Sequence, residues 1–240
     1  MTDPTPPSSD SQSAERQCLE RGDLARRKLI EAGLAVFSAM GYEAASTRKL
    51  AAEAGVNIAA IPYYFGSKEG LYLAVIAHIL DYYQAGLGES LALIRRALAD
   101  STTSRAACRA LLDDHMRILI RFILQETRVR AQVSHIYIRE QLDPTSAFDR
   151  LYEGFIRDAH ETMAVLVERI LGDAIPPLEA KLLGHTMIGQ ISTFKLSRQT
   201  ILHDLGWNGF SEENLAEIEK IIMKNIDSII KSYRADLSTK

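Results

Sequence analysis

The stretch STRKLAAEAGV followed by NIAAIPYYF, residues 46–65, narrows the possible folds more than any other part of the chain. Behind Ser46 and Thr47, which suit a helix start, Leu50, Ala51 and Ala54 recur at helical spacing, and Gly55 sits where a left-handed residue would end that helix. A second short helix is expected from about Asn57 to Tyr64. Upstream, Ile30, Gly33, Leu34, Phe37 and Met40 step by threes and fours from an N-cap at Asp23, with Gly41 placed to stop the helix. A stabilising helix followed by two short ones joined at a tight glycine turn gives the helix-turn-helix arrangement, which lays its last helix in a major groove. Ala59 and Ala60 are small enough to let that helix approach closely.

Beyond Ser67 the periodicity stays helical, over about 67–86, 104–125, 127–142, 146–172, 178–203 and 211–234. Breakers separate these stretches: Gly86 and Gly88, Asp143-Pro144, residues 172–177, and residues 205–210 with two glycines. Ser211 is the N-cap of the last helix, with Glu212 and Glu213 in its first turn and Phe210 placed to pack on Leu215. No segment alternates polar and apolar residues as a strand would. The expected fold is all-α. It comprises a disordered arm over 1–20, rich in Pro, Ser and Thr, a three-helix DNA-binding domain over 21–70, and a larger helical domain over 71–240.

Charge and composition exclude several function classes. The net charge is −3, yet residues 16–70 hold eight Lys/Arg against six acids while the remainder as a whole is acidic, so the motif lies in a basic segment. The arm before Arg16 carries no cation and does not resemble a minor-groove arm. No apolar run reaches the ~18 residues of a membrane span and the N-terminus lacks the order of a signal peptide, so a cytoplasmic protein is expected. Cys18 and Cys108 lie far apart and suggest neither a disulfide scaffold nor a metal site. The six histidines (His78, His115, His135, His160, His185, His203) form no metal-ligand spacing, and no nucleophile elbow or phosphate loop occurs. Neither an enzyme nor a cofactor is expected.

From Leu29 to Leu71 the chain resembles the TetR family. The resemblance rests on Phe37, Gly41, Tyr42, Thr47, Leu50, Ala51, Gly55, Val56, Tyr64, Phe65, Lys68, Glu69 and Leu71 in that order. It implies that Thr47 and Lys68 hold phosphates, with Ser46 beside them, and that Arg48 reaches a phosphate or a guanine edge. It also implies that Asn57, Ala59, Ala60, Tyr63 and Tyr64 face double-stranded operator DNA. The chemistry fits: a hydroxyl at a helix start and a lysine ammonium favour anions, and a guanidinium offers guanine a two-pronged donor. Pro62 departs from the family pattern, standing where many relatives carry a tyrosine. Counted from an N-cap at Asn57 it is the fifth helical residue, so a short or tilted helix is expected, with Tyr63 as the aromatic contact.

Residues 135–155, HIYIREQLDPTSAFDRLYEGF, and the closing LGW at 205–207 look like the CecR branch of that family, whose members are linked to efflux and export genes. The resemblance implies a homodimeric repressor released from a palindromic operator by a small, partly apolar effector. Polar residues within apolar helices are the pocket candidates: Tyr137, Arg139 and Glu140 on one helix, His185, Gln190, Phe194 and Arg198 on another. An apolar stripe of Ile218, Ile221, Ile222, Ile226 and Ile229 would help pair two copies, placing the recognition helices about 34–36 Å apart. The rival reading is a helical ligand-binding or adaptor protein that has lost DNA binding.

Overall fold

A computed structural model describes residues 9–172 and 175–237, with side chains over 21–172 and 175–234. Its elements are α1 (Ser9–Ala44), α2 (Thr47–Ala54), α3 (Ala60–Phe65), α4 (Lys68–Ala99), α5 (Arg105–Leu124), α6 (Arg128–Leu142), α7 (Phe148–Leu151), a π-helical turn (Tyr152–Ile156), α8 (Arg157–Leu171), α9 (Pro177–Leu196), α10 (Arg198–Leu205) and α11 (Glu212–Leu237). Among the described residues there is no strand, and the fold is all-α.

Several sequence expectations are corrected. α1 begins at Ser9 and not at Asp23, so residues 9–20 of the expected arm are helical, and residues 1–8 lie outside the described part. Gly41, at φ 80 and ψ 171, breaks the helical backbone inside α1, and the chain resumes to Ala44. α4 runs unbroken through Gly86 and Gly88. At Gly86 a side chain would meet the Phe122 ring at 2.1 Å, so this glycine makes room for an aromatic neighbour and leaves the helix intact. The stretch read as one helix over 178–203 divides at Ser197.

Two compact units form. The first comprises the chain to Ile79 together with His135–Ala147; the second comprises Leu80–Ser134 and Phe148 onward. The boundary expected near residue 70 therefore falls inside α4, and the first unit recruits a distant segment. Leu29, Phe37, Leu50, Ile61, Leu71 and Ile76 are buried in the first unit. In the second, α5 packs against α8, α9 and α11. Leu112, Met116 and Ile120 meet Leu166, Ile170, Met187 and Ile191 in its core. Ile218, Ile222 and Ile226 of α11 are spent in that same core, while Ile221 is half exposed. With Ile229 packed against the same core, four of the five isoleucines expected at a subunit interface thus hold the protomer itself.

Candidate nucleic-acid interface

Local sequence fixes both short helices of the motif. Ser46, in extended backbone, caps α2: its hydroxyl accepts the Lys49 amide at 3.2 Å. Thr47 is the first helical residue and half-buried, so the capping hydroxyl is that of Ser46. At the far end Gly55 adopts φ 64, ψ 35; its N–H reaches the Ala52 carbonyl at 3.1 Å and that of Val56 reaches Ala51 at 3.0 Å, closing the helix in a Schellman motif. Asn57 then bends the chain, its Oδ1 accepting the Ala59 amide at 2.9 Å.

α3 begins later than the sequence suggests, and this explains why Pro62 is tolerated. Ala60 and Ile61 donate to the carbonyls of Asn57 and Ile58, bonds of the tight three-residue kind, before Tyr63 donates to Ala59. Pro62 is therefore the third residue of α3, inside the first turn, where an absent amide hydrogen breaks no helical ladder. The recognition helix is six residues long, short as expected, without a break at the proline.

The inner faces of α2 and α3 are buried through Leu50, Ala51, Ala54 and Ile61. Arg48, Lys49, Asn57, Ala59 and Tyr63 are exposed, and Ala60 is half-buried. Among the described residues no carboxylate pairs with Arg48 or Lys49. Tyr63 is 81 % exposed and meets Tyr64 edge-on with ring centres 4.8 Å apart. Tyr64 is half-buried, its hydroxyl lying against Gly22, so it packs as well as faces outward. Sequence reasoning overlooked Ile58, an apolar side chain 48 % exposed at the entrance to α3. The only signal in the sequence was an isoleucine beside a turn asparagine, off the buried stripe. Exposed there, it suits a thymine methyl group.

Lys68 has a second task. Its ammonium donates to the Tyr42 carbonyl at 3.0 Å and lies 4.2 Å above the Tyr42 ring, tying the start of α4 to the end of α1. Ser67 caps α4 by accepting the Gly70 amide at 3.0 Å. A Cβ at position 70 would lie 1.9 Å from the Phe65 carbonyl oxygen, so only glycine allows α3 and α4 to turn so closely.

The residues expected to touch a ligand divide between the units. Tyr137, Arg139 and Glu140 belong to the first. Arg139 donates to the Ala39 carbonyl at 3.4 Å and packs on Gly41, a cation at the carbonyl end of α1's main run. Glu140 is 1 % exposed and accepts from Tyr72 and Thr145. Both side chains are tied into the fold of the first unit by these contacts. Tyr137 is half-buried, and burial pushes its phenol up. In the second unit His185 stacks on His160 at 4.2 Å, Gln190 accepts from Asn225 at 3.1 Å, Phe194 packs on the core, and Arg198 pairs with Glu126 at 2.8 Å. A cavity of about 430 Å³ in this unit is bordered by Tyr82, Gly86, Ile118, Arg121, Phe122 and Arg130, none of them foreseen.

Comparison with known proteins adds independent findings. Residues 29–75 match the model of the bacterial regulatory proteins of the tetR family, and residues 108–232 match that of the C-terminal domain of the HTH-type transcriptional dual regulator CecR. The chain is 36 % identical to CecR of Shigella flexneri over 88 % of its own length and 93 % of that protein. It is 30 % identical to the regulator RutR of Escherichia coli K12 over 49 % of its length and 48 % of the relative's. A solved structure from Pseudomonas aeruginosa PAO1 shares the fold with a TM-score of 0.59 at 17 % identity, covering 88 % of this chain and 92 % of that one. A transcriptional regulator of Aquifex aeolicus VF5 does so at 0.50 and 19 %, covering 85 % and 99 %.

Proposed function

Because the chain belongs to the TetR family of transcriptional regulators, in its CecR branch, we propose that it is a homodimeric repressor which leaves a palindromic operator when a small, partly apolar effector binds its second unit. The observation that carries the DNA half of this reading is the two-sidedness of α2 and α3. Their apolar residues close the core, while Arg48, Lys49, Asn57, Ala59 and Tyr63 stand out in solvent without a protein partner of opposite charge. Ser46 and Thr47 lie at the backbone edge of this surface, and Ala60 and Tyr64 flank Tyr63. Lys68, anchored by Tyr42, keeps further N–H donors for a phosphate.

Dimerisation is assigned to α9 and α11. Leu178 and Leu182 of α9 are 71 % and 56 % exposed, and Ile221 of α11 adds a third large apolar group in solvent. Such a face suits pairing with its own copy about a two-fold axis. The effector is assigned to the second unit near Gln190 and Phe194, which share α9 with His185, and Arg198 at the start of α10. Control of export genes is part of the proposal and rests on the branch to which the chain belongs. No described helix is long and apolar enough to cross a membrane.

The test is fluorescence anisotropy of the whole protein on the intergenic DNA flanking its own gene, over a salt series. A complex on a palindromic site whose affinity falls steeply with salt supports the reading. Absence of any complex at low salt overturns it in favour of a helical binding protein.

A further inference from the structure

In the second unit Lys195 lies within reach of two further cations, Arg198 and Arg130, and of one carboxylate, Glu126. Arg198, whose side chain is 20 % exposed, pairs through Nη2 with Glu126 at 2.8 Å and stacks 5.3 Å over Phe210. Its Nε is buried and has no hydrogen-bond partner among the described residues. Lys195, three residues earlier at the end of α9, is half-buried; burial holds its ammonium below the usual lysine range, opposed by Glu126 and reinforced by the nearby charges of Arg198 and Arg130. Arg130 bonds neutral acceptors only: the Tyr82 hydroxyl at 2.9 Å, the Arg121 and Gln125 carbonyls, and the Gln125 side-chain oxygen at 2.8 Å.

Cations drawn out of water at this density, with one balancing charge and an orphaned donor, raise the energy of the empty protein. An anion entering the cluster would offset that cost, and Arg198 Nε offers it a donor nothing else uses. Arg130 also borders the 430 Å³ cavity and lies 5.7 Å over the Phe122 ring, so the charged cluster and an aromatic surface meet at one side chain. We infer that Arg130, Lys195 and Arg198 receive the anionic head, carboxylate or sulfonate, of an amphiphile whose apolar body lies on the Tyr82 and Phe122 rings. This names the chemical class of the effector, and in that respect it rests on the ligand-responsive reading above.

Trp207 is the single tryptophan of the chain, and it meets Phe210, the ring under Arg198, at 6.3 Å. Its fluorescence reports the site. The whole protein is titrated with octanoate, octanamide and octylamine, which share an apolar body and differ in head charge, with calorimetry as the second readout. Octanoate should bind saturably, about tenfold or more tighter than octanamide, and octylamine more weakly still. Lys195→Met and Arg198→Gln should each abolish the preference for octanoate over octanamide, while Lys195→Arg retains it. Lys195→Met should melt no lower than wild type, because it removes a desolvated charge; a purely structural lysine would lower the melting point. Equal binding of octanoate and octanamide, no octanoate binding at millimolar concentration, or an undiminished preference in both variants overturns the site. DNA release is measured separately: octanoate bound at Trp207 with the operator complex undisturbed would remove the effector role and leave the anion site standing.

Discussion

Tyr72 and Glu140 lie 68 residues apart in the chain, and the tyrosine hydroxyl donates a 2.6 Å hydrogen bond to the buried carboxylate. Thr145 completes the arrangement, its hydroxyl donating to the same oxygen at 2.9 Å and its amide to the other at 3.0 Å. Burial and the neighbouring carboxylate push the Tyr72 phenol far up, so it stays a donor at any pH the protein meets. Tyr72→Phe, which deprives a buried carboxylate of one donor, should cost about 1–3 kcal/mol in urea unfolding, and Glu140→Ala at least as much. The double variant should lose less than the sum, because the two side chains share one interaction. Additive losses would show that the bond contributes nothing of its own.

Gly70 and Gly55 separate two reasons for glycine within one motif. Around Gly55 no atom lies within 4 Å of an added Cβ, so Gly55→Ala meets only the left-handed backbone penalty, about 1–2 kcal/mol. Gly70→Ala collides with the Phe65 carbonyl and must displace backbone, a change expected to cost more than about 3 kcal/mol and to remove DNA binding. Thermal melts of the two variants side by side decide this; the reverse order would refute the close turn between α3 and α4.

Arg48 and Lys68 should separate on DNA and on stability. Arg48 is exposed, so Arg48→Ala should leave the melting temperature alone and weaken the preferred operator by about 1–3 kcal/mol more than a scrambled one. Lys68→Ala also cuts the tie to Tyr42; it should weaken all sequences alike and lower the melting temperature. Equal losses on matched and scrambled DNA for both variants would count against these roles.

His115 makes the second unit sensitive to acid. It is buried beside the Ser90 hydroxyl at 2.8 Å, and burial lowers its pKa to about 4. Below an unfolded value near 6.5 the unfolded chain takes up a proton that the folded protein refuses, so stability falls with pH from about 6.5 and the loss is complete by about 4. His160, lowered to about 4 by burial and then by His185, acts in the same direction. Relative to His115→Gln, wild type should lose on the order of 3 kcal/mol across this window in urea titrations at stepped pH. Parallel curves would show that His115 is solvated.

Much of the fold was legible because its signals are local. Ser46, Gly55 and Ser211 carry their caps in their own chemistry, and each ends or starts a helix where its type predicts. Gly86 and Gly88 misled because the same residue serves a turn or a close approach, and only the partner, Phe122, tells which. Pro62 depended on where α3 starts, which a hydrogen bond from Ala59 to the Asn57 side chain decides. For the ligand candidates the limit was different: polar residues in apolar helices mark buried partners, and sequence does not say whether the partner is a ligand or Tyr72. Lys195 and Arg130 were missed because their significance is a shared imbalance of charge, visible only once distant helices are placed together.

The segment His135–Ala147, which clusters with the helix-turn-helix unit, bears on how such proteins diverge. A crossover between two related genes that exchanged only the portion up to Ile79 would pair Tyr72 with a foreign Glu140 counterpart and Ala39 with a foreign guanidinium. Inheritance of the DNA-reading head is therefore not inheritance of a contiguous stretch. Hybrids that swap residues 135–147 along with the head should fold, and those that swap the head alone should need compensating changes at Arg139 and Glu140.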